Sequence, residues 1–495
     1  MIGPPYFVSR DEAHCPARLV ILRATRVFHC VVYPERTSCC EARCFVLPIE
    51  FPARACVEFF GIGTMIIDQF NTTLSGGAAI AARRLHHALL DSGMQSRFWY
   101  LGHKRQTATD DASYTPAKNL WDRKQNFLFS GIRKHFHKIK FRRSLWGRPS
   151  GLEIFSSSRT YPQTQVDFKK LSTDIVQLHW IVKLIDYPSF FASIPDDLPI
   201  VWTLHDMNPF TGGCHHADAC RKFTSVCQYC PQLGRPGSHD VSRGTYEIKQ
   251  RAFERKNMHI VTPSRWLESH VRQSALLGSA ASIQTIRNGL NTNLFAPRDR
   301  TLARKRFGLS DKDFVIGCGA AQLTNERKGF REFLDTYAQL RNRKQCVALA
   351  MGDGESPIHE SGISLRTTGY LEKTSDIVDF YSALDVFVIT SKAENLPQTV
   401  VEAMACGVPT VGFAVGGIPE IVQPGSTGLL GPAGDCHLLA QHIDSLIEWP
   451  EGRKQMGVES RKLAVREFNE EQQVKQYLEL YRQAIAQRRA STMVA

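Results

Sequence analysis

The sequence lacks any apolar run of 18 residues in its 495 positions, so it predicts no membrane-spanning helix. Its first apolar pieces are broken by Arg23 and Arg26, which argues against a normal secretory signal. It also lacks a DNA-binding or RNA-binding motif, and its lysines and arginines are spread widely. The formal net charge of +13 therefore favours a nucleotide or an anionic membrane surface as partner, and no nucleic acid is expected.

The composition is that of a soluble globular protein, with 43% hydrophobic and 22% charged residues. The length is sufficient for two or three domains, each with its own core. Residues 1–64 differ from the rest, because they hold scattered arginines, no clear periodicity and six of the fourteen cysteines. They are interpretable as a disulfide-rich extracellular module. We favour the alternative that translation begins at Met65, which leaves an atypical extension that is disordered or not translated.

The stretch 385–430 contains two strand–loop–helix units in tandem. Val386–Ile389 is a short β-branched run typical of a buried parallel strand. Pro397 is expected to open the following helix, with Asn395 as its cap. A second strand is predicted at Val408–Phe413. Two such units predict one edge of a doubly wound parallel sheet, with the helix N-termini at the carboxyl ends of the strands.

That geometry predicts an anion site. Free N–H groups at residues 395–398 and 416–418, together with the helix dipole, would hold a phosphate or diphosphate. Glu394 and Glu402 lie beside it, and carboxylates there would accept hydrogen bonds from the hydroxyls of a sugar and a ribose. For an isolated pair, a solvated loop glutamate and a helix-capping glutamate are the more ordinary interpretation.

These residues resemble the donor-binding half of the retaining glycosyltransferases of family 4. The signature is two glutamates with seven residues between them, Glu394 and Glu402, within EN-x-P…EAMACG-x-P-x-V…GG-x-PE. The resemblance implies that Glu394 contacts the transferred sugar at the catalytic centre and that Glu402 contacts the nucleotide ribose. It also implies that Asn395, Leu396 and Pro397 contact the donor.

The resemblance implies an α/β protein with the GT-B fold, in which two Rossmann-like doubly wound domains face each other across a cleft. Residues 65–298 would form the acceptor-binding domain and 299–469 the nucleotide-sugar-binding domain. Residues 470–495 would form a helix that returns to the first domain, followed by a tail that is loose after Arg489.

Lys328 matches the lysine that contacts the donor diphosphate in this family. A cation there neutralises the leaving group, so catalysis is expected to need no metal or other cofactor. The family usually has an arginine about five residues earlier, where this chain has Gln322 and Leu323. Either Arg327 supplies the second charge from another angle or the second cation is absent. A strand is predicted at 367–371, where the backbone of three donor-binding residues would pair with the nucleobase: Gly369, Tyr370 and Leu371.

In the first domain, the residues expected near the ligand follow the strands. Gly76 and Gly77 head an amphipathic helix, where they allow close approach of a donor to the backbone. His205 ends a strand in the segment TLHD and matches the family's active-site histidine beside the donor sugar. Asp206 is expected to orient His205 or the acceptor, and His179 is the second candidate.

A cysteine-rich insert occupies residues 211–233, with the spacing C-x5-C-x6-C-x2-C. It resembles an insert of the colanic-acid and exopolysaccharide branch of the family, where HDM-x-PFTGGCH recurs. A structural zinc, disulfides and unligated thiols are the three interpretations, and zinc is favoured in a cytosolic protein. His215 and His216 are alternative ligands or acceptor contacts. The candidate zinc ligands are Cys214, Cys220, Cys227 and Cys230.

The segment 133–148 carries seven lysines or arginines and no acid, interleaved with large apolar residues. This pattern suits an interfacial helix on anionic lipid. A solvated basic face of an ordinary helix is the alternative. The first interpretation predicts a cytoplasmic protein bound peripherally to the inner face of the cell membrane.

The expected reaction is transfer of a hexose from a UDP- or GDP-sugar to a hydroxyl of a glycan or lipid-linked acceptor, with retention of configuration, in exopolysaccharide or cell-surface polysaccharide synthesis. Two alternatives stay open, a GT-B nucleotide-sugar epimerase and a non-catalytic sugar-nucleotide-binding protein. Product analysis without acceptor discriminates the epimerase, and the missing family arginine favours the binding protein slightly.

Overall fold

The computed structural model describes residues 17–24, 27–34, 64–102, 111–120, 127–160, 163–354 and 363–494. The chain divides into two compact units, Met1–Thr64 and Met65–Ala495. In the first unit, β1 (Ala17–Ala24) pairs with β2 (Val27–Pro34) in antiparallel register. Five of the six cysteines predicted to mark this unit lie outside the described residues, and Cys30 lies in β2. The finer division of the second unit into residues 65–298, 299–469 and 470–495 stays a prediction.

The second unit contains a seven-stranded sheet whose strands are all parallel. Its spatial order is β5-β4-β3-β6-β7-β8-β9, which doubles back at β3 and β6 in the manner of a doubly wound fold. The inner strands are short buried runs, which is why they lie in the centre of the sheet. The strands are β3 (Ile66–Phe70), β4 (Gln95–Tyr100), β5 (Tyr114–Pro116), β6 (Ile175–Leu178), β7 (Ile200–Thr203), β8 (Met258–Thr262) and β9 (Ser282–Thr285).

A six-stranded parallel sheet follows along the chain, with the order β12-β11-β10-β13-β14-β15. This is the strand order of a Rossmann fold, and its switch point lies between β10 and β13. The strands are β10 (Phe314–Gln322), β11 (Cys346–Asp353), β12 (Leu365–Thr367), β13 (Val386–Ile389), β14 (Thr410–Phe413) and β15 (Gly428–Gly431).

Helices connect the parallel strands of both sheets, and most of them bury an apolar face, whereas the helix Phe127–Ser144 leaves large apolar side chains exposed. In the first half they are α1 (Gly77–Asp91), α2 (Phe127–Ser144), α3 (Phe168–Leu171), α4 (Tyr187–Ser193), α5 (Val241–Phe253) and α6 (Arg265–Arg272). In the second half they are α7 (Arg300–Arg306), α8 (Phe330–Ala338), α9 (Thr374–Ala383), α10 (Gln398–Ala405), α11 (Cys436–Glu448), α12 (Pro450–Glu467) and α13 (Glu470–Val494). In the described part of the chain, no helix combines the length and the hydropathy that a membrane span requires.

The C-terminal helix α13 packs against strands of the first sheet. Its Tyr477 hydroxyl lies 2.7 Å from Thr203 Oγ1, and its Tyr481 hydroxyl donates to Gln177 Oε1 at 2.9 Å. Both tyrosines are fully buried. The helix continues to Val494, so the prediction of a loose tail after Arg489 is wrong for the described residues.

Three local predictions in the second half need correction. The second strand begins at Thr410 and not at Val408, since Pro409 has no N–H for the ladder. Helix α10 begins at Gln398, and Pro397 occupies its N-cap position without a side-chain bond. Asn395 is not the cap, because its side chain bonds elsewhere.

Candidate active site

The carboxyl-end edges of the two sheets face each other, and the predicted site residues follow the strands there. Glu394 lies in the loop between β13 and α10, on the second edge. His205 follows β7 on the first edge. Asn395 connects them, because its Nδ2 donates to the carbonyl oxygens of Leu204 and His205 at 3.3 and 3.2 Å. Its Oδ1 accepts from Ser264 Oγ at 2.6 Å, so the side chain of Asn395 joins the two edges.

Glu394 is the centre of a charged cluster. Its Oε1 accepts from Lys328 Nζ at 2.6 Å and lies 3.3 Å from Arg327 Nη1. The carboxylate is buried, with 8% of its side chain exposed. Burial by itself raises the pKa of Glu394, but Lys328 and Arg327 outweigh it and lower that pKa to about 2. Glu394 is therefore an anion at neutral pH, and two cations lie beside the point where it would meet a sugar.

Arg327 stands in the short helix Glu326–Lys328, after the loop in which the family arginine is missing. Its Nη1 donates to the carbonyl of Ala393 at 2.6 Å, and its Nε pairs with the Glu153 carboxylate of the first half. Burial lowers the pKa of Arg327, whereas Glu394 and Glu153 raise it above its ordinary value. The second cation thus lies on the same carboxylate as Lys328.

Glu402 lies in helix α10 and already has partners for both carboxylate oxygens. Arg84, from helix α1 of the first half, donates to Oε1 at 2.7 Å. The Tyr381 hydroxyl donates to Oε2 at 3.1 Å. A ribose contact at Glu402, as predicted, would replace or share one of these bonds.

The remaining donor-loop residues have mixed surroundings. Leu396 is buried in the core of the second half. The amides of Gly417 and Ile418 donate to Glu394 and Val415 carbonyls, which contradicts the prediction that they are free for a phosphate. A Cβ on Gly416, which has a φ of +56°, would overlap the Glu394 carbonyl. Glycine at 416 is therefore required because the loop of Glu394 passes so closely.

The glycine loop of the first half is open. Gly76 is the N-cap of α1 with a φ of +91°, and a Cβ on Gly76 or Gly77 would meet nothing within 4 Å. A ligand can therefore approach the backbone there.

The nucleobase segment differs from its prediction. The strand covers Leu365–Thr367, and 368–371 lie beyond it. The Gly369 carbonyl accepts from Gly352 at 2.9 Å, and the Tyr370 amide donates to Asp353 Oδ1 at 3.2 Å. Leu371 packs against the core. The Gly369 carbonyl and the Tyr370 amide thus already have hydrogen-bond partners within the protein. Fewer backbone groups are left to pair with a nucleobase than a free strand would offer.

His205 is partly buried and bonds to two buried residues, His179 and Gln69, in a relay that fixes its tautomer. His179 Nε2 lies 2.9 Å from Gln69 Oε1, which can only accept, so the proton of His179 is on Nε2. His179 Nδ1 must then accept from His205 Nε2 at 3.3 Å. Burial lowers the pKa of His205 to about 4 and the pKa of His179 well below its ordinary value. His205 is consequently neutral at pH 7, with Nδ1 as an unprotonated acceptor.

Asp206 bonds to residues other than His205. Its Oδ2 lies 2.6 Å from His215 Nδ1 and accepts from Trp180 Nε1 at 2.9 Å, while Oδ1 accepts from the Asn208 amide at 2.8 Å. Burial raises the pKa of Asp206, but His215 outweighs it and the pKa falls to about 2. Of the two roles predicted for Asp206, the orientation of His205 is not met, since His179 bonds to that ring, whereas orientation of the acceptor stays a prediction.

The two histidines of the insert differ. His215 bonds through both ring nitrogens, to Asp206 and, at 2.8 Å, to Ser156 Oγ, so it has no nitrogen left for an acceptor or a metal. His216 Nδ1 is buried and has no hydrogen-bond partner in the described part of the chain. Burial and then Arg327 lower the pKa of His216. His216 remains the candidate acceptor contact.

The cysteines of the insert are free thiols. Cys214, Cys227 and Cys230 are buried, and Cys220 is partly buried. Burial raises the pKa of Cys227 to about 11. Among the described residues, no three His, Cys, Asp or Glu side chains form a group that could hold a metal ion. The structural zinc stays a prediction.

The donor half of the chain matches known transferases. Residues 314–448 match the family model for Glycosyl transferases group 1. Over 207 residues the chain is 29% identical to N-acetyl-alpha-D-glucosaminyl L-malate synthase of Bacillus anthracis, which covers 40% of this chain and 53% of that enzyme. Over 176 residues it is 35% identical to D-inositol 3-phosphate glycosyltransferase of Mycobacterium sp. (strain KMS), covering 33% and 39%. The chain thus spans about half, or less, of the length of these relatives.

Solved structures match a larger share of the chain. Sucrose-phosphate synthase from Thermosynechococcus elongatus has a TM-score of 0.58 at 19% identity, covering 85% of this chain and 99% of that one. The pneumococcal O-GlcNAc transferase GtfA, in complex with UDP and GlcNAc, has 0.58 at 12% identity, covering 85% and 99%. Anabaena HepE, in complex with UDP and glucose, has 0.54 at 16% identity, covering 84% and 99%. The chain has the GT-B fold.

Within this GT-B fold, several residues that sequence reasoning missed connect the two edges. Arg84 and Glu153 belong to the first half and pair with charged residues of the second. Glu420, the last residue of GG-x-PE, accepts from the amides of Arg265 and Trp266 at 3.0 and 2.6 Å and so caps helix α6 of the first half. The sequence offered one signal for this contact, the glutamate that ends the GG-x-PE motif. Nothing in the sequence indicates that this glutamate bonds to a helix 155 positions away.

Proposed function

We propose that this protein is a retaining glycosyltransferase that moves a hexose from a UDP- or GDP-sugar to a hydroxyl of a glycan or lipid-linked acceptor in cell-surface polysaccharide synthesis. One observation carries the proposal: Glu394, Lys328 and Arg327 cluster on one edge of the GT-B fold, opposite His205. The UDP found with HepE and GtfA supports a nucleotide donor. The family match over residues 314–448 supports sugar transfer.

The roles follow from the chemistry of each group. Lys328 and Arg327 would hold the diphosphate and offset the charge that develops on the leaving oxygen. Glu394 would accept a sugar hydroxyl, and His205 would accept another through Nδ1. The acceptor oxygen attacks the anomeric carbon from the face that the phosphate leaves. The bond to the phosphate oxygen breaks, the bond to the acceptor oxygen forms, and the leaving phosphate takes the acceptor proton.

The test is a panel of UDP-, GDP- and ADP-sugars in a thermal-shift assay. A donor that binds only the folded chain raises its melting temperature, by mass action. The best donor is then incubated with candidate acceptors, and the anomeric configuration of the product is determined by NMR. Retention supports the proposal. A product formed without acceptor and carrying an inverted hydroxyl would instead identify an epimerase, and absence of any shift would contradict a donor site.

We propose further that the protein works on the inner face of the cell membrane through helix α2. Ile132, Phe136 and Ile139 stand at intervals of four and three, which places them on one face of the helix, and all three are exposed. Trp146, 71% exposed, follows the helix. Phe141 on the opposite face packs against the core, as does Leu145 just after the helix. Arg133 and Lys140 lie to one side of the exposed face, Lys138 and Arg142 lie to the other, and Arg143 lies on the face itself.

The membrane proposal is tested by sedimentation with vesicles. We expect binding to vesicles that contain phosphatidylglycerol and little binding to pure phosphatidylcholine, since both apolar burial and anionic charge contribute. Phe136→Ser with Trp146→Ser should weaken binding about fivefold or more. Equal binding of the variant and the parent would contradict this role for α2.

A further inference from the structure

Glu153 belongs to the first half of the molecule but contacts the donor half at the predicted phosphate site. Its carboxylate pairs with Arg327 Nε and accepts from Asn325 Nδ2 at 3.5 Å. Burial raises the pKa of Glu153, but Arg327 outweighs it and lowers that pKa. An ionised carboxylate of one half therefore holds a guanidinium of the other, next to the cation pair on Glu394.

The backbone of Glu153 is itself fixed. Arg148 Nη2 donates to the Glu153 carbonyl, and Arg148 Nε donates to the Gln232 carbonyl at 3.1 Å. Two residues further on, Phe155 forms a bridge with Cys214, and the Ser156 amide donates to the Gly213 carbonyl at 2.8 Å. The cysteine-rich insert thus anchors the segment that carries Glu153.

The orientation of Arg327 depends on Glu153. A guanidinium is a planar fork, so fixing one edge also fixes the direction of the other atoms. In Arg327, the Nε edge is held by Glu153, while Nη1 points to the Ala393 carbonyl and to Glu394. Without Glu153, Arg327 would keep its charge but lose the contact that aims its fork at the Glu394 cluster.

We infer that Glu153 is a positioning residue that aims Arg327 at the donor diphosphate when the two edges meet. This inference rests on the proposed function. Arg327 replaces the cation that Gln322 and Leu323 do not provide. Its orientation is set by Glu153, which belongs to the opposite half of the molecule. Diphosphate binding is thereby linked to closure of the two halves.

The test compares ligands that differ by one phosphate. Binding of UDP and UMP, and of GDP and GMP, is measured by calorimetry for the full chain and for Glu153→Gln, Arg327→Gln and the double variant. Glu153→Gln should weaken diphosphate binding about tenfold, because a charge-assisted contact is misdirected, and leave monophosphate binding within about twofold. The double variant should be no weaker than Arg327→Gln alone, because both changes remove one interaction.

Two further variants separate positioning from general structure. Arg327→Lys keeps the charge but not the fork, so it should bind the diphosphate with intermediate affinity. Glu247→Gln is the control, because it removes a carboxylate of the same half that pairs only locally with Arg243, and it should bind like the parent. Melting temperatures check that each variant is folded.

The outcomes are distinct. Unchanged diphosphate affinity in Glu153→Gln, while Arg327→Gln loses it, overturns the positioning role. Equal losses for mono- and diphosphate also overturn it, because that pattern indicates a merely structural role. A parent chain that binds no nucleotide overturns the proposed function itself, and this inference with it.

Discussion

The two edges that face each other differ in how they hold charge. The donor edge keeps permanent ions in contact, Glu394 with Lys328 and Arg327. The opposite edge keeps neutral imidazoles in a directed chain, from Gln69 through His179 to His205. An edge of fixed charges suits a charged leaving group, whereas a neutral acceptor nitrogen suits the hydroxyls of a sugar. Under the proposed function, this difference assigns each edge to a different part of one donor molecule.

The largest expected effect is on the charged edge. Glu394→Gln keeps the shape but removes the anion that pairs with both cations and that, in the proposed function, accepts from the sugar. We expect kcat to fall about a hundredfold or more, because the contact is with the reacting sugar. Initial rates of hexose transfer measure it. Full turnover by this variant would remove Glu394 from the site, and with it the contrast between the edges.

The two edges should contribute to stability over different pH ranges. His205 has a pKa of about 4 in the fold, below its ordinary value of 6.5, so the unfolded chain takes up its proton first and stability falls as the pH drops below about 6.5. Between pH 7 and pH 5, His205 should lower the free energy of unfolding by about 2 kcal/mol. Glu394, with a pKa of about 2, keeps its contribution until the pH falls below about 4.5.

Urea unfolding of the parent and of His205→Asn at pH 7 and pH 5 measures this. Other buried histidines, such as His86 and His259, also have lowered pKa values and reduce the stability of both chains in this pH range. The difference between the parent and His205→Asn therefore isolates the contribution of His205. If both chains lose the same free energy of unfolding, His205 is not held neutral and the contrast fails.

The smallest expected effect is on the tautomer relay. Gln69→Leu removes the acceptor for His179 Nε2, so the proton of His179 and then that of His205 is no longer fixed. We expect kcat to fall about tenfold with little change in donor affinity, because only one of two tautomers then presents an acceptor. Ser96→Ala serves as the control, because it removes a partner of Gln69 Nε2 and leaves Gln69 Oε1 as the acceptor for His179. Parent-like turnover of Gln69→Leu, in a protein where His205→Ala is inactive, would show that the relay does not set the tautomer.

Sequence reasoning located the local features and missed the long-range ones. The strand Val386–Ile389 follows from a short pattern, and the structure agrees with it. Lys328 was assigned to the donor diphosphate by resemblance, which remains a prediction, and the structure places it on Glu394. Asn395 was assigned to a cap because caps are local, but its partners lie 131 and 190 residues away. No periodicity or spacing encodes such a partner. The doubly wound sheet was predictable because it is built from repeated local units, and the GT-B fold followed from the resemblance of the Glu394–Glu402 motif. Neither source predicted the side-chain contacts between the two halves.

Arg84 illustrates the same limit on the site itself. It lies in helix α1, where its sequence context is an ordinary amphipathic helix, yet it pairs with Glu402 across the fold. A carboxylate that the family pattern assigns to a ribose therefore has a competing partner 318 residues away. Only the three-dimensional arrangement shows that a ribose at Glu402 would compete with Arg84 for the carboxylate.

Glu420 links the stability of a helix to the arrangement of the two halves. While they are in contact, its carboxylate serves the first turn of Arg265–Arg272, together with the local cap Ser264. If the halves separate, the two backbone amides lose their bonds to Glu420 and are exposed to water. This first turn should therefore fray more readily when the halves are apart. Hydrogen exchange at the amides of Arg265 and Trp266 would thus report how often the two halves separate.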